Sequence, residues 1–197
     1  MNYLVAPERH EREGFVLRSY EPGDGALLAA AQNESYDHLR PWLAWAKPHT
    51  SVEEAEVSVR QFRGKYLLAQ DFVIGIFSSD ERRLLGGTGF HLREGPLGAC
   101  SAEIGMFVRA SAAGRGLGTA VLRAMLEWGF RDWPWLRLAW YCDENNLGSA
   151  RVAERAGMLR EGVLHGQPTA VGDGRRNTLC YGLTKNAWYE LAERSTG

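Results

Sequence analysis

The chain has 197 residues, enough to bury a substantial core, and its length favours one domain over residues 1–197. Lys plus Arg (23) nearly cancel Asp plus Glu (24), and the formal charge of −1 argues against a nucleic-acid binder working through a broad basic face. Hydrophobic content of 45% with 24% charged residues is ordinary for a globular protein in water, and no run of about 18 apolar residues suits a membrane span.

Residues 15–20 read as a short strand, and Pro22-Gly23-Asp24-Gly25 opens a helix through Leu27, Leu28 and Ala31. A second helix is expected over residues 36–45. From Val52, apolar residues recur at Ala55, Val59, Phe62 and Tyr66 in alternating steps of three and four, which predicts an amphipathic helix. Residues 72–77 and 84–92 read as antiparallel strands turned through Ser78-Ser79-Asp80-Glu81, and a further strand is expected at 101–108. After a glycine-rich turn comes a helix apolar on more than one side (Leu117, Val121, Met125 and Trp128, but also Leu122 and Leu126), so it should lie centrally on a sheet. A strand at 136–141, a helix capped by Asn146 and stopped by Gly157, strands at 158–164 and 178–183, and a helix at 186–193 complete the chain. The expected fold class is α/β (α+β): a mixed, mostly antiparallel central sheet of about seven strands flanked by helices.

Gly114-Arg115-Gly116-Leu117-Gly118 stands where a strand passes into the central helix, and glycine costs about 1 kcal/mol in a helix interior. A ligand would explain it. Bare backbone lets an anion approach, and the free N–H groups and dipole of a first helical turn favour negative charge. A Walker loop is excluded because Thr119 and Ala120 follow Gly118, with no lysine in the helix. A dinucleotide fingerprint is excluded by glycine spacing and by the missing carboxylate at Trp135-Leu136-Arg137. The alternative is a tight turn before a helix that packs closely on a sheet.

Downstream, residues 136–141 lead into Cys142-Asp143-Glu144-Asn145-Asn146-Leu147-Gly148-Ser149-Ala150-Arg151. Strand, glycine turn, helix, strand, Asn-x-x-Ser, helix, Gly157-Met158 and Glu161-Gly162, in that order, resemble the GNAT superfamily of acyl-CoA-dependent N-acetyltransferases, and within it the RimJ/RimL-like ribosomal-protein branch. The likeness is most specific over residues 102–164. It extends more loosely to Leu39-Arg40-Pro41-Trp42-Leu43-Ala44-Trp45, Arg160-Glu161-Gly162-Val163-Leu164, Tyr181-Gly182-Leu183 and Trp188. The family loop usually begins with Gln or Arg. Here Ala113 stands in that place, and Arg115 is the charge available to substitute for it.

The resemblance implies direct attack of a primary amine, on a small molecule or a protein N-terminus, on acetyl-CoA, without a metal. Ala113, Gly114, Arg115, Gly116, Leu117, Gly118 and Thr119 would hold the diphosphate, and the edge of the strand ending Phe107-Val108 would pair with the pantetheine arm. The N–H of Phe107 or Val108 is the expected oxyanion donor. Asn146 and Ser149 would face the thioester end, Ser149 protonating the leaving thiolate; the alternatives are a plain cap and a serine bonded within its own turn. Glu103 is a base or substrate contact, or else a solvated strand carboxylate or an ion pair with Arg137. The branch's loop glutamate is absent from His165-Gly166-Gln167-Pro168, which leaves Glu103 or His165 as substitutes. Trp42, Trp45 and His49 would wall the acceptor pocket unless the tryptophans serve only packing.

Cys100, Cys142 and Cys180 contain no C-x-x-C pair, and MNYLVAPERHEREG lacks an apolar signal core, so a cytoplasmic protein is expected. A covalent route through Cys142 lacks a suitably spaced histidine, and the five histidines have no metal-ligand spacing. A larger donor such as succinyl-CoA, or a non-catalytic acyl-CoA-binding module, are the competing functions. The family also implies a homodimer; no membrane or nucleic-acid partner is expected.

Overall fold

The computed structural model describes residues 4–194. Among the described residues eight strands form one sheet: β1 (Arg9–Arg12), β2 (Phe15–Ser19), β3 (Phe72–Ser78), β4 (Leu84–His91), β5 (Ser101–Val108), β6 (Arg137–Asp143), β7 (Leu159–Pro168) and β8 (Arg175–Thr184). Their order is β1-β2-β3-β4-β5-β6-β8-β7. Every neighbouring pair is antiparallel except β5 with β6. The helices are α1 (Gly25–Glu34), α2 (Tyr36–Leu39), α3 (Val52–Leu67), α4 (Leu117–Asp132), α5 (Leu147–Ala156) and α6 (Lys185–Arg194). Among the described residues, no helix is long and apolar enough to cross a membrane.

Alternation along the strands builds a core on each face of the sheet. Phe15, Leu17, Ile74 and Ile76 pack with Val121, Leu122, Met125, Leu126 and Trp128 of α4. On the opposite face Val16 packs with Leu28 and Ala31 of α1 and with Ala55 and Val59 of α3. Burial of α4 on several sides accounts for its apolar residues beyond a single stripe.

Three local expectations are corrected. Strand β1 was not anticipated, because its sequence RHER has no apolar alternation; it is the sheet's edge, where charged side chains block further pairing. Helix α2 ends at Leu39 instead of near Trp45. Pro41 has no N–H to continue the ladder, and the chain proceeds by turns through Trp42 N–H to the Leu39 carbonyl (2.9 Å). Residues 165–168, expected as a loop, extend β7 instead, with Gln167 opposite Arg176 and Pro168 opposite Arg175 after an irregularity at Gly166 (φ +65°).

Candidate functional site

The parallel pairing of β5 with β6 covers only Ser101 with Arg137, Ala102 with Leu138 and Glu103 with Ala139. Beyond it β5 runs on to Val108 paired with β4 alone, while β6 runs on to Asp143 paired with β8 alone. The two strands therefore diverge, and a cleft of about 1040 Å³ opens between them. Buried backbone groups need partners, so the open edge of β5 is a template for an extended, amide-bearing ligand. The Arg109 N–H donates to the Leu85 carbonyl (2.8 Å), which fixes the alternation: Phe107 turns its N–H to β4, and Met106 and Val108 turn theirs to the gap. Of the two expected oxyanion donors only Val108 has an N–H on the open side.

Ala113, Gly114, Gly116, Gly118 and Thr119 line the far end of this cleft. Gly114 (φ +74°) and Gly116 (φ +86°) are both left-handed, a conformation that explains glycine at these positions. Gly116 is the N-cap of α4, and neither a side-chain cap nor a first-turn carboxylate competes for the amides that follow. Uncapped N–H groups at the positive end of a helix suit a diphosphate. Gly118 serves packing as well: a Cβ there would lie 3.2 Å from Val152 Cγ2 on α5. Arg115 is exposed and outside the cleft lining, and Leu117 turns to the core.

The loop is held from a distance. Glu34, at the end of α1, accepts hydrogen bonds from Arg109 Nε (2.7 Å) and from the Ser111 N–H (3.1 Å), while Ser35 Oγ accepts from the Ala110 N–H (3.0 Å). These charge-assisted bonds hold the Glu34 carboxyl near pKa 2.

Asn146 caps α5, its Oδ1 accepting from the Ser149 N–H (3.1 Å), and both residues line the cleft. Ser149 Oγ accepts from Trp140 Nε1 (3.1 Å); an indole only donates, so the serine's own hydrogen is left for an acceptor, of which the neighbouring Cys142 sulfur is one. Burial pushes the neighbouring Cys142 thiol up, away from the thiolate a covalent mechanism would need.

Glu103 faces the vertex of the cleft with its side chain 13% exposed and bonded to Arg93 (2.8 Å). The ion pair with Arg137 does not form: that guanidinium is held by both oxygens of Glu161 (2.7 and 2.6 Å). Trp42 and Trp45 line the cleft, and the Trp45 ring meets Phe107 edge-on at 5.3 Å. His49 and His165 do not line it. His165 is exposed on β7 with Nδ1 3.2 Å from Asn177 Oδ1, because the strand continues where a loop was expected.

Residues 15–159 match the family model described as an acetyltransferase (GNAT) domain. The chain belongs to the GNAT acetyltransferase family. It is 26% identical over 149 residues (75% of this chain, 81% of the relative) to YjcK of Bacillus subtilis strain 168, named a probable N-acetyltransferase. Its fold matches RimL, a ribosomal L7/L12 alpha-N-protein acetyltransferase in complex with coenzyme A, with a TM-score of 0.79 at 20% identity, covering 89% of this chain and 97% of that one. It also matches the microcin C7 self-immunity acetyltransferase MccE in complex with acetyl-CoA and AMP, with a TM-score of 0.77 at 18% identity, covering 88% and 93%. As a GNAT enzyme it is an acyl-CoA-dependent transferase with acetyl-CoA as co-substrate, and its cleft fits that molecule: an open strand edge for the amide arm and an uncapped helix for the diphosphate.

Two pairs at the cleft of this GNAT enzyme, formed by the lining residues Tyr141 and His91, had no signal in the sequence. Tyr141 Oη donates to Glu94 Oε1 (2.7 Å), and burial together with that carboxylate pushes the phenol up to about 12. His91 Nδ1 lies 2.8 Å from Asp71 Oδ1. Each pair joins segments 20 or more residues apart, which only strand register could reveal.

Proposed function

We propose that the enzyme transfers an acetyl group from acetyl-CoA to a primary amine, on a protein N-terminus or a small molecule, by direct attack, within one domain spanning the chain. The observation that carries this reading is the divergence of β5 from β6 after Glu103, beside an uncapped glycine turn. Acetyl-CoA supplies the activated acyl carbon. The amides of residues 114–119 hold its diphosphate, and the open edge of β5 aligns its arm so that the thioester reaches the vertex. The Val108 or Met106 N–H stabilises the oxyanion. Ser149, oriented by Trp140, gives its proton to the departing thiolate. Glu103 contributes negative charge where a cationic acceptor enters, and Trp42 and Trp45 wall that entrance.

The three free cysteines fit a reducing cytoplasm. The test is thiol release from acetyl-CoA against N-terminal peptides, polyamines, aminoglycosides and amino acids, with acetyl-CoA binding measured calorimetrically on the same sample. Turnover with one class is expected and names the acceptor; binding without turnover on every class would favour the non-catalytic module.

A further inference from the structure

Antiparallel register places His91 of β4 opposite Glu103 of β5, with Gly89 opposite Gly105 and Gly87 opposite Phe107. Side chains of these six positions share one face of the sheet, and three of the six are glycines. The His91 ring uses the space they leave. A Cβ on Gly105 would come within 3.0 Å of His91 Nε2, and one on Gly89 within 3.2 Å of Cε1 and Nε2. The imidazole thus lies across the two glycines, toward the β5 edge that opens into the cleft, and both His91 and Asp71 line that cleft.

The hydrogen-bond partner selects the tautomer. A carboxylate only accepts, so with Asp71 Oδ1 2.8 Å from Nδ1, the hydrogen of a neutral ring resides on Nδ1 and Nε2 presents its lone pair. Among the described residues no hydrogen bond is made to Nε2. The charged groups around the ring are Asp71 before β3, Glu103 on β5 and Arg93, which bonds Glu103. Asp71 is placed to stabilise an imidazolium, much as a buried carboxylate supports a catalytic histidine elsewhere.

We infer that His91 is the general base of the reaction and Asp71 its positioning residue, an assignment that rests on the acetyltransferase reading above. The amine lone pair forms the C–N bond to the acyl carbon, and the amine proton passes to His91 Nε2. The C–S bond breaks with its electron pair on sulfur, which takes the Ser149 Oγ proton; Ser149 regains a proton from solvent, and His91 releases one to it. Glu103, already bonded to Arg93, attracts the ammonium form and does not take the proton.

The test measures thiol release at saturating acetyl-CoA, with Ser- and Ala-initiated peptides and spermidine as acceptors, alongside calorimetric acetyl-CoA binding and melting temperature. His91→Gln is expected to lower kcat on the order of 10²- to 10⁴-fold, the usual contribution of a positioned base, with acetyl-CoA affinity within about twofold of the parent. Added imidazole should restore part of kcat to His91→Ala and none to Ser149→Ala, a response that loss of folding would not give. Asp71→Asn, which removes the charge that fixes the tautomer, should lower kcat with little change in KM. A folded His91→Gln retaining parental kcat, or a parental-like Asp71→Asn combined with no imidazole rescue, would overturn the assignment. Failure of the unsubstituted enzyme to bind acetyl-CoA would instead refute the acetyltransferase reading beneath it.

Discussion

Replacing Gly116 by alanine separates the two explanations of the glycine turn. Gly116 caps α4 at φ +86° and ψ −7°, and nothing lies within 4 Å of a Cβ built there. Stability is then altered by backbone strain alone, about 1–2 kcal/mol for a left-handed L-residue. Each kcal/mol shifts Tm by about 2–4 °C in a chain of this size, so a fall of roughly 2–8 °C is expected. The open space around that methyl belongs to the cleft, where the diphosphate would lie. Losing one charge-assisted hydrogen bond there costs about 1.5–3 kcal/mol, which is roughly a 10- to 150-fold weaker Kd for coenzyme A. Gly118→Ala is the control. Its methyl would point at Val152 Cγ2, 3.2 Å away and on α5. The helix-propensity gain of about 1 kcal/mol offsets the crowding, so Tm should change little and affinity less than tenfold. Calorimetry with coenzyme A and thermal unfolding measure both quantities on one preparation. If Gly116→Ala loses stability but binds coenzyme A as the parent does, the turn is only a helix entry and the phosphate cradle is wrong.

Three further outcomes follow from the geometry. Asn146→Ala removes the cap that receives the Ser149 N–H, at about 1 kcal/mol and a Tm fall of about 2–4 °C, whereas Asn146→Asp should retain stability; equal melting of all three proteins would refute the cap's contribution. Ser149→Ala should lower kcat in the thiol-release assay while leaving acetyl-CoA affinity unchanged, and an unaltered kcat would reduce Ser149 to a partner of Trp140. Glu34 has a folded pKa near 2 against an ordinary value near 4.5, so its contribution is complete above about pH 4.5 and is lost as pH falls toward 2. The Tm gap between the parent and Glu34→Gln should accordingly narrow across that window, and a gap constant from pH 6 to 3 would show that the bonds to Arg109 and Ser111 do not stabilise the fold.

The elements with short-range signals were legible in the sequence. Asn146 and Gly157 bound α5 as their chemistry dictates, and the steps of three and four from Val52 to Tyr66 form α3. The broad apolar surface of α4 is buried as its composition requires. Glycine at 114 and 116 marked the turn because only a backbone with positive φ needs it. Such signals act within a helical turn or two. Pro41 is a short-range signal too, and it is why α2 stops at Leu39 and not near Trp45.

The site depended on contacts that no local rule specifies. Glu34 holds a loop 75 residues away, and Asp71 meets His91 only because β3 and β4 pair in a particular register. The pairing of β6, β8 and β7 takes Arg137 to Glu161, and Glu103 is left to Arg93. Extension of β7 carried His165 away from the chemistry it was expected to join. Propensity, capping and periodicity are properties of neighbouring residues, so the sequence determined most of the strands and helices and the glycine turn, but neither the edge strand β1 nor the length of β7. Where β5 parts from β6, and which side chains meet in the gap, is set by the pairing and packing of distant segments, and the tertiary structure alone decided it.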